Sequence, residues 1–137
     1  MKNKIPALLL LVLSVCLFTQ CNNKQKEKLE GVWRLQSLEV NGTVISGKSL
    51  GDWKWEFNEE GGYLTDVAGA REKGLYTLKG DKLTLKSVTH EERPEQKLQI
   101  ISLDSAELHL VTADTGSNKS SLNFIKMKAR DYEEEKD

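Results

Sequence analysis

Cysteine is nearly missing from this chain of 137 residues. Its two cysteines, Cys16 and Cys21, both fall within the first 21 positions, so the sequence beyond them offers no thiol, disulfide or cysteine metal ligand. Histidine is as scarce, with only His90 and His109. Two histidines without a thiol make a nucleophile–base–orienter set hard to assemble, and the reading is of a protein that is not an enzyme. An excess of basic charge is lacking too. Twenty basic residues stand against 21 acidic ones, a net of −1, which excludes the basic stripe that nucleic acid requires. The longest apolar run, Ile5 to Phe18, is short for a spanning helix, and nothing later resembles one. The glycines follow turns rather than a strand-to-helix junction, so no phosphate-cradling loop is present. The length suits one domain.

What is there begins with an address. Met1 to Lys4 form a positive segment, Ile5 to Phe18 an apolar one, and Thr19 to Asn23 turn abruptly polar, which is the order of a secretory signal. The ending resembles a bacterial lipoprotein signal, cut just before a cysteine that becomes acylated. Cys21 fits because a polar stretch follows it, whereas the competitor Cys16 precedes apolar Leu17 and Phe18. The resemblance implies a signal peptide over residues 1–20, an acyl (palmitate-type) anchor on Cys21, and a flexible tether over residues 21–28. Two or more acyl chains anchor a protein stably, which one does not. Asn22, standing where an inner-membrane retention signal would have Asp, points by the same resemblance to the outer membrane. No acidic cluster follows Cys21, which favours the periplasm-facing side.

From Leu29 onward the apolar residues recur at every second position. The runs are Trp33 and Leu35; Trp53, Trp55 and Phe57; Tyr63, Thr65 and Val67; Tyr76 and Leu78; Leu83 and Leu85; Leu98 and Ile100; Leu108 and Leu110; Leu122 and Phe124. Each has one apolar and one solvated face, as antiparallel sheets require. Glu59–Gly62, Gly80–Asp81, Asp104–Ser105 and Asp114–Asn118 supply turn residues between them. Short turns pair neighbouring strands in sequence order, and closure removes both edges. The expectation is therefore all-β: an eight-stranded antiparallel up-and-down barrel over residues 29–128, with a two-sheet sandwich as the alternative. Only Ser46 to Leu50 suits a helical turn. Two longer connections remain, Asn41–Asp52 and Thr89–Gln96. Residues 129–137, with Glu133, Glu134 and Glu135, read as a disordered acidic tail.

Gly31-Val32-Trp33 carries a Gly-x-Trp signature. It is followed by Trp55-Glu56-Phe57 with Gly61-Gly62, then Gly74-Leu75-Tyr76-Thr77-Leu78, Gly80-Asp81-Lys82-Leu83-Thr84-Leu85 and Leu122-Asn123-Phe124-Ile125-Lys126. This ordered set resembles the lipocalin-like domains of Bacteroidetes-type lipoproteins. The resemblance implies a barrel whose Trp33 packs across the closed end, with Gly31 admitting a close approach. It also implies a cation from the last strand over that ring, a place held here by Lys126 or Lys128. The Asn41–Asp52 loop then stands where the family has a lid over the barrel mouth.

Trp53, Trp55 and Phe57 on one strand, joined by Tyr63 and Tyr76, are either barrel filling or an aromatic wall for a small ligand. Val44, Ile45 and Leu50 either cap an apolar cavity from the lid loop or pack on the barrel end. His90 beside Glu91 and Glu92 is a solvated loop rather than a metal site, and no cofactor is expected. His109 alternates with Leu108 and Leu110 and so faces solvent. Glu56 and Asp66 fall on polar faces of neighbouring strands, where a carboxylate pair is ordinary surface. Two functions follow. One is a lipid-anchored carrier of a small apolar or amphipathic ligand in the envelope. The other is a packed barrel acting as an interaction or inhibitor module on an envelope protein, through an outer patch of Ile101, Leu103, Val111, Ile125 and Met127.

Overall fold

The computed structural model describes residues 23–113 and 118–128. Nine strands follow in order: β1 (Gly31–Val40), β2 (Thr43–Ser46), β3 (Lys54–Phe57), β4 (Gly62–Val67), β5 (Ala70–Lys79), β6 (Lys82–Ser87), β7 (Gln96–Leu103), β8 (Glu107–Thr112) and β9 (Ser120–Lys126). Neighbours pair antiparallel from β3 to β9, and β9 returns to pair with β1 from Trp33↔Lys126 to Val40↔Ser120. β1 and β3 to β9 thus form the closed eight-stranded barrel expected from the short turns. Period-two alternation turns one residue in two inward. Sixteen apolar side chains make one buried core, with Trp33, Leu83 and Leu110 at 0% exposure.

The ninth strand corrects the reading of the Asn41–Asp52 loop. Asn41 and Gly42 both take positive φ, 51° and 82°, and make a two-residue hairpin turn. β2 then runs back along β1 from Val40↔Thr43 to Ser37↔Ser46. A 3-10 turn (Gly47–Leu50) leads from it to β3, which occupies the remainder of the same β1 edge, from Gly31↔Phe57 to Arg34↔Lys54. The segment is therefore hydrogen-bonded to the wall and is not a free lid.

Two bulges set side-chain direction. The β1–β9 register slips between Leu35 and Ser37, which restores Leu38 to the inner face. The β7–β8 register slips between Ile100 and Ser102. That slip reverses the alternation, so Leu103 packs against the core instead of joining the outer patch assigned to it from sequence. Ile101 stays outward at 52% exposure, while Val111, Ile125 and Met127 are half-buried.

Residues 23–29 form a helix, α1, where the sequence reads as a flexible tether. Lys24 to Lys28 are strong helix formers or neutral to helix, and the decisive residue is Leu29, which is fully buried against the barrel end. Lys26 Nζ also donates to Glu59 O in the β3–β4 turn, at 2.8 Å. Short helices are marginal alone, so docking is what holds this one. The segments read as a signal peptide and an acidic tail, and Cys21, lie outside the described residues.

Candidate functional site

One end of the barrel is closed by a floor. At the closed end Trp33 Nε1 donates to Leu29 O at 2.7 Å, and Lys126 Nζ donates to Lys28 O at 3.1 Å. Both acceptors are carbonyls of the last helical turn, which have no partner within the helix. Lys126 Nζ also lies 5.1 Å from the Trp33 ring centroid, a cation–π distance. Gly31 makes room for this arrangement: its φ is +122°, and a Cβ there would sit 2.7 Å from Lys126 Cε. The cation over Trp33 is thus Lys126, not Lys128.

Above this floor the rings fill space. Trp55 lies 5.0 Å from Phe124 and 6.4 Å edge-on from Phe57, and Phe57 lies 5.2 Å edge-on from Tyr76. These are favourable edge and tilted geometries. Tyr76 Oη donates to Asn58 O at 2.9 Å, and burial pushes its pKa up to about 12, with the Glu30 charge adding to the rise. Trp55, Phe57 and Tyr76, read from sequence as possible ligand contacts, therefore pack together within the core.

The opposite end changes character. Its inward-facing side chains, among them Leu38, Ile45, Leu50, Trp53 and Val67, are only partly buried, and polar groups appear between them. Thr65 and Ser87 are buried polar residues of the inner face. Glu72 stands on the same face of β5 as Tyr76 and Leu78. Its carboxylate accepts from Tyr63 Oη at 3.0 Å and from Arg93 Nη1 at 2.9 Å. Tyr63 reaches it across Gly74, where a Cβ would lie 2.7 Å from the Tyr63 ring. Burial pushes the Tyr63 pKa up to about 12; its bond to the Glu72 carboxylate and that group's charge add to the rise, while Ser87 and Arg93 oppose it. Arg93 comes from the 88–95 connection, which is tied down by Thr89 Oγ1 at 3.0 Å from Lys73 N and by Ser87 Oγ at 2.9 Å from His90 N.

One buried donor stays open. Trp55 is 5% exposed, yet its Nε1 has no hydrogen-bond partner among the described residues. Trp53 differs, donating to Leu50 O at 2.8 Å. An unpaired buried N–H costs about 1–3 kcal/mol, so such groups call for an explanation.

The residues singled out from sequence therefore separate. Ile45, Leu50 and Trp53 are half-buried, whereas Trp55 and Tyr63 are buried core residues that face Trp33 and Phe57 across the ladder. Val44 is neither: it is 65% exposed on the outer side of β2, because strand alternation places it opposite Ile45. Glu56 and Asp66 form no pair, since Lys54 faces Asp66 across the ladder and Arg71 Nε holds Asp66 at 3.2 Å. His90 Nδ1 faces Glu92 at 3.6 Å on an exposed loop, and no cluster of three metal-ligating side chains occurs among the described residues. His109 lies on the outer face with Nε2 2.6 Å from Ser121 Oγ. Glu72, Ser87 and Arg93 escaped the sequence reading. Extending the Tyr76–Leu78 alternation backward by two steps would have put Glu72 on the inner face, whereas Arg93 had no such signal.

Comparison with known proteins agrees with this geometry. A lipocalin-like protein from Bacteroides uniformis matches with a TM-score of 0.57 at 18% identity, covering 73% of this chain and 99% of that one. An uncharacterized protein from Bacteroides eggerthii matches with a TM-score of 0.56 at 18% identity, covering 72% and 99%. At that identity the likeness is one of fold. No curated protein matches the chain. The sequence model of the lipocalin-like domain matches residues 29–110, which is more than half of the chain and runs from the floor residue Leu29 to Leu110 in β8. With the barrel closed β1 to β9 and Trp33 across its floor, the chain belongs to the lipocalin-like domain family.

Proposed function

We propose that this protein is a lipid-anchored envelope lipoprotein whose barrel takes up a small amphipathic molecule at the end opposite its floor. The observation that carries the reading is the buried, unpartnered Trp55 Nε1 in a core against which the half-buried Leu38, Leu50 and Trp53 pack. An apolar body suits those half-buried side chains, and a carbonyl or hydroxyl oxygen on the ligand satisfies the indole. The Tyr63–Glu72–Arg93 chain supplies further polar contacts at the rim. Pockets of this make-up, apolar with a few placed polar groups, are the usual form of small-ligand sites. The role is binding, not catalysis. Anchoring rests on the signal ending at Cys21, and the outer membrane on Asn22.

The test is native mass spectrometry of residues 22–137, which hold the whole described fold, after exposure to extract of the source cells. A defined added mass is the expected result. Trp55→Phe lowers its occupancy by roughly two- to tenfold, the worth of one hydrogen bond. Bare protein from a rich extract refutes the carrier reading and favours the packed-barrel interaction module. The anchor is tested separately, by the mass of the N-terminal peptide from the full chain: acyl groups on Cys21 are expected, and an unmodified terminus refutes them.

A further inference from the structure

The outer surface of β5, β6 and β7 carries charge of one sign. Alternation turns Arg71, Lys73, Leu75, Thr77 and Lys79 outward on β5, Lys82, Thr84 and Lys86 on β6, and Lys97, Gln99 and Ile101 on β7. Six of these are basic and none is acidic, in a chain whose net charge is −1. Glu72, the one acid within β5, points inward. The register brings the cations together: Leu75 faces Lys86, Thr84 lies between Thr77 and Lys97, and Lys82 lies between Lys79 and Gln99. Lys79 and Lys82 stand directly opposite, an arrangement that costs stability. Arg71 is matched by Asp66, but Lys73, Lys79, Lys82, Lys86 and Lys97 have no carboxylate partner among the described residues. The nearby acids sit at the margins. Asp81, at the hairpin tip, accepts from Gln99 Nε2 at 2.9 Å, and Glu95 edges an open groove of about 650 Å³ lined by Lys79, Lys82, Thr84 and Lys97.

An exposed apolar residue stands amid these lysines. Leu75 is 59% exposed, and Ile101 on the same face is 52% exposed. Flexible ammonium groups around an aliphatic side chain match the phosphates and upper acyl region of an anionic bilayer better than they match a dissolved polyanion, which has no use for the leucine. Position agrees. β5 runs past the β3–β4 turn, where Lys26 of α1 is bonded, so Lys79 and Lys82 lie at the closed end near the start of the described chain. An acyl chain on Cys21, as proposed above, puts that end at a membrane.

We propose that the β5–β6–β7 face is a docking surface for anionic phospholipid, so that the barrel lies against the bilayer on this face. The test uses residues 22–137, which carry no acyl chain, so its outcome does not depend on lipidation. Sedimentation is measured with vesicles of phosphatidylcholine alone and with phosphatidylglycerol added. Binding is expected only with phosphatidylglycerol, weakening as salt rises. Each lysine near an anionic surface is worth about fivefold, so K79Q/K82Q/K97Q lowers the partition coefficient by about a hundredfold, while K48Q/K119Q on other faces leaves it unchanged. No cysteine follows Cys21, so L75C carries a single environment-sensitive dye. Its emission shifts to the blue on these vesicles. Absence of phosphatidylglycerol-dependent binding, insensitivity to the triple change, or an unshifted dye at position 75 each overturns the proposal. Tighter binding to soluble polyglutamate than to the vesicles overturns it in favour of an acidic protein partner.

Discussion

Two tryptophans in one core allow a paired substitution to isolate a single N–H. Trp33 and Trp55 are both at or below 5% exposure, and changing either to Phe deletes the same atoms. The loss of volume is common to both and costs on the order of 1–3 kcal/mol, since large-to-small core changes leave part of the space unfilled. The donors differ. Trp33 Nε1 holds Leu29 O at 2.7 Å, and removing it leaves a buried carbonyl without a partner, a further cost of about 1–3 kcal/mol. The weaker ring also loses part of the cation–π contact with Lys126, about 0.5–1 kcal/mol. Trp55 Nε1 has no described partner, so Trp55→Phe removes an unsatisfied donor and recovers about 1–3 kcal/mol. Trp33→Phe is therefore less stable than Trp55→Phe by at least about 2 kcal/mol. For a domain near 100 residues that is about 8 °C or more in Tm. Thermal and urea unfolding of both variants of residues 22–137, followed by far-ultraviolet circular dichroism, measures the difference. Equal losses, or a larger loss for Trp55→Phe, would refute the reasoning, because the Trp55 indole would then be as well bonded as that of Trp33.

Three further outcomes are expected. Tyr63 and Tyr76 both have folded pKa values raised from 10.0 to about 12, so the native state keeps protons that the unfolded chain releases. Their contribution is whole below pH 10 and is lost as pH rises from 10 toward 12. Urea midpoints should fall across that window, and by less in Tyr63→Phe; a flat profile would count against the burial of both phenols. Leu29→Ala unlatches α1 from the barrel floor at a cost of about 2–5 kcal/mol, and faster amide exchange at residues 24–29 should accompany the lower Tm. Ala68 holds φ at +53° in the β4–β5 turn, so Ala68→Gly should raise Tm through relief of about 1 kcal/mol of strain; an unchanged or lower Tm argues against that backbone conformation.

Much of this molecule is local in origin. Period-two alternation places Trp55 and Phe57, Leu83 and Leu85, Leu122 and Phe124 on one face each, and turns such as Gly80–Asp81 leave neighbouring strands no choice but to pair. Gly31 and Trp33 could be read as floor residues only through the family resemblance that their Gly-x-Trp signature carries. Even β2 was legible, since Asn41-Gly42 is the strongest short hairpin signal, although the family resemblance suggested a lid there. Other features depend on contacts that no window of sequence contains. Leu103 turns inward because of a slip against β8, not because of its neighbours in the chain. Residues 23–29 are polar except for Leu29, and their helix exists because that leucine meets a barrel end assembled from residues far downstream. The Tyr63–Glu72–Arg93 chain forms only once β4, β5 and the 88–95 connection are brought to one rim. The row of lysines on β5, β6 and β7 becomes a face only through the ladder register. Sequence by itself determined which residues face in and which face out along each strand, because alternation is a property of the backbone. Tertiary structure decided where alternation breaks, what closes the barrel floor and which polar groups meet, because those outcomes depend on the free energy of burial and pairing between distant segments.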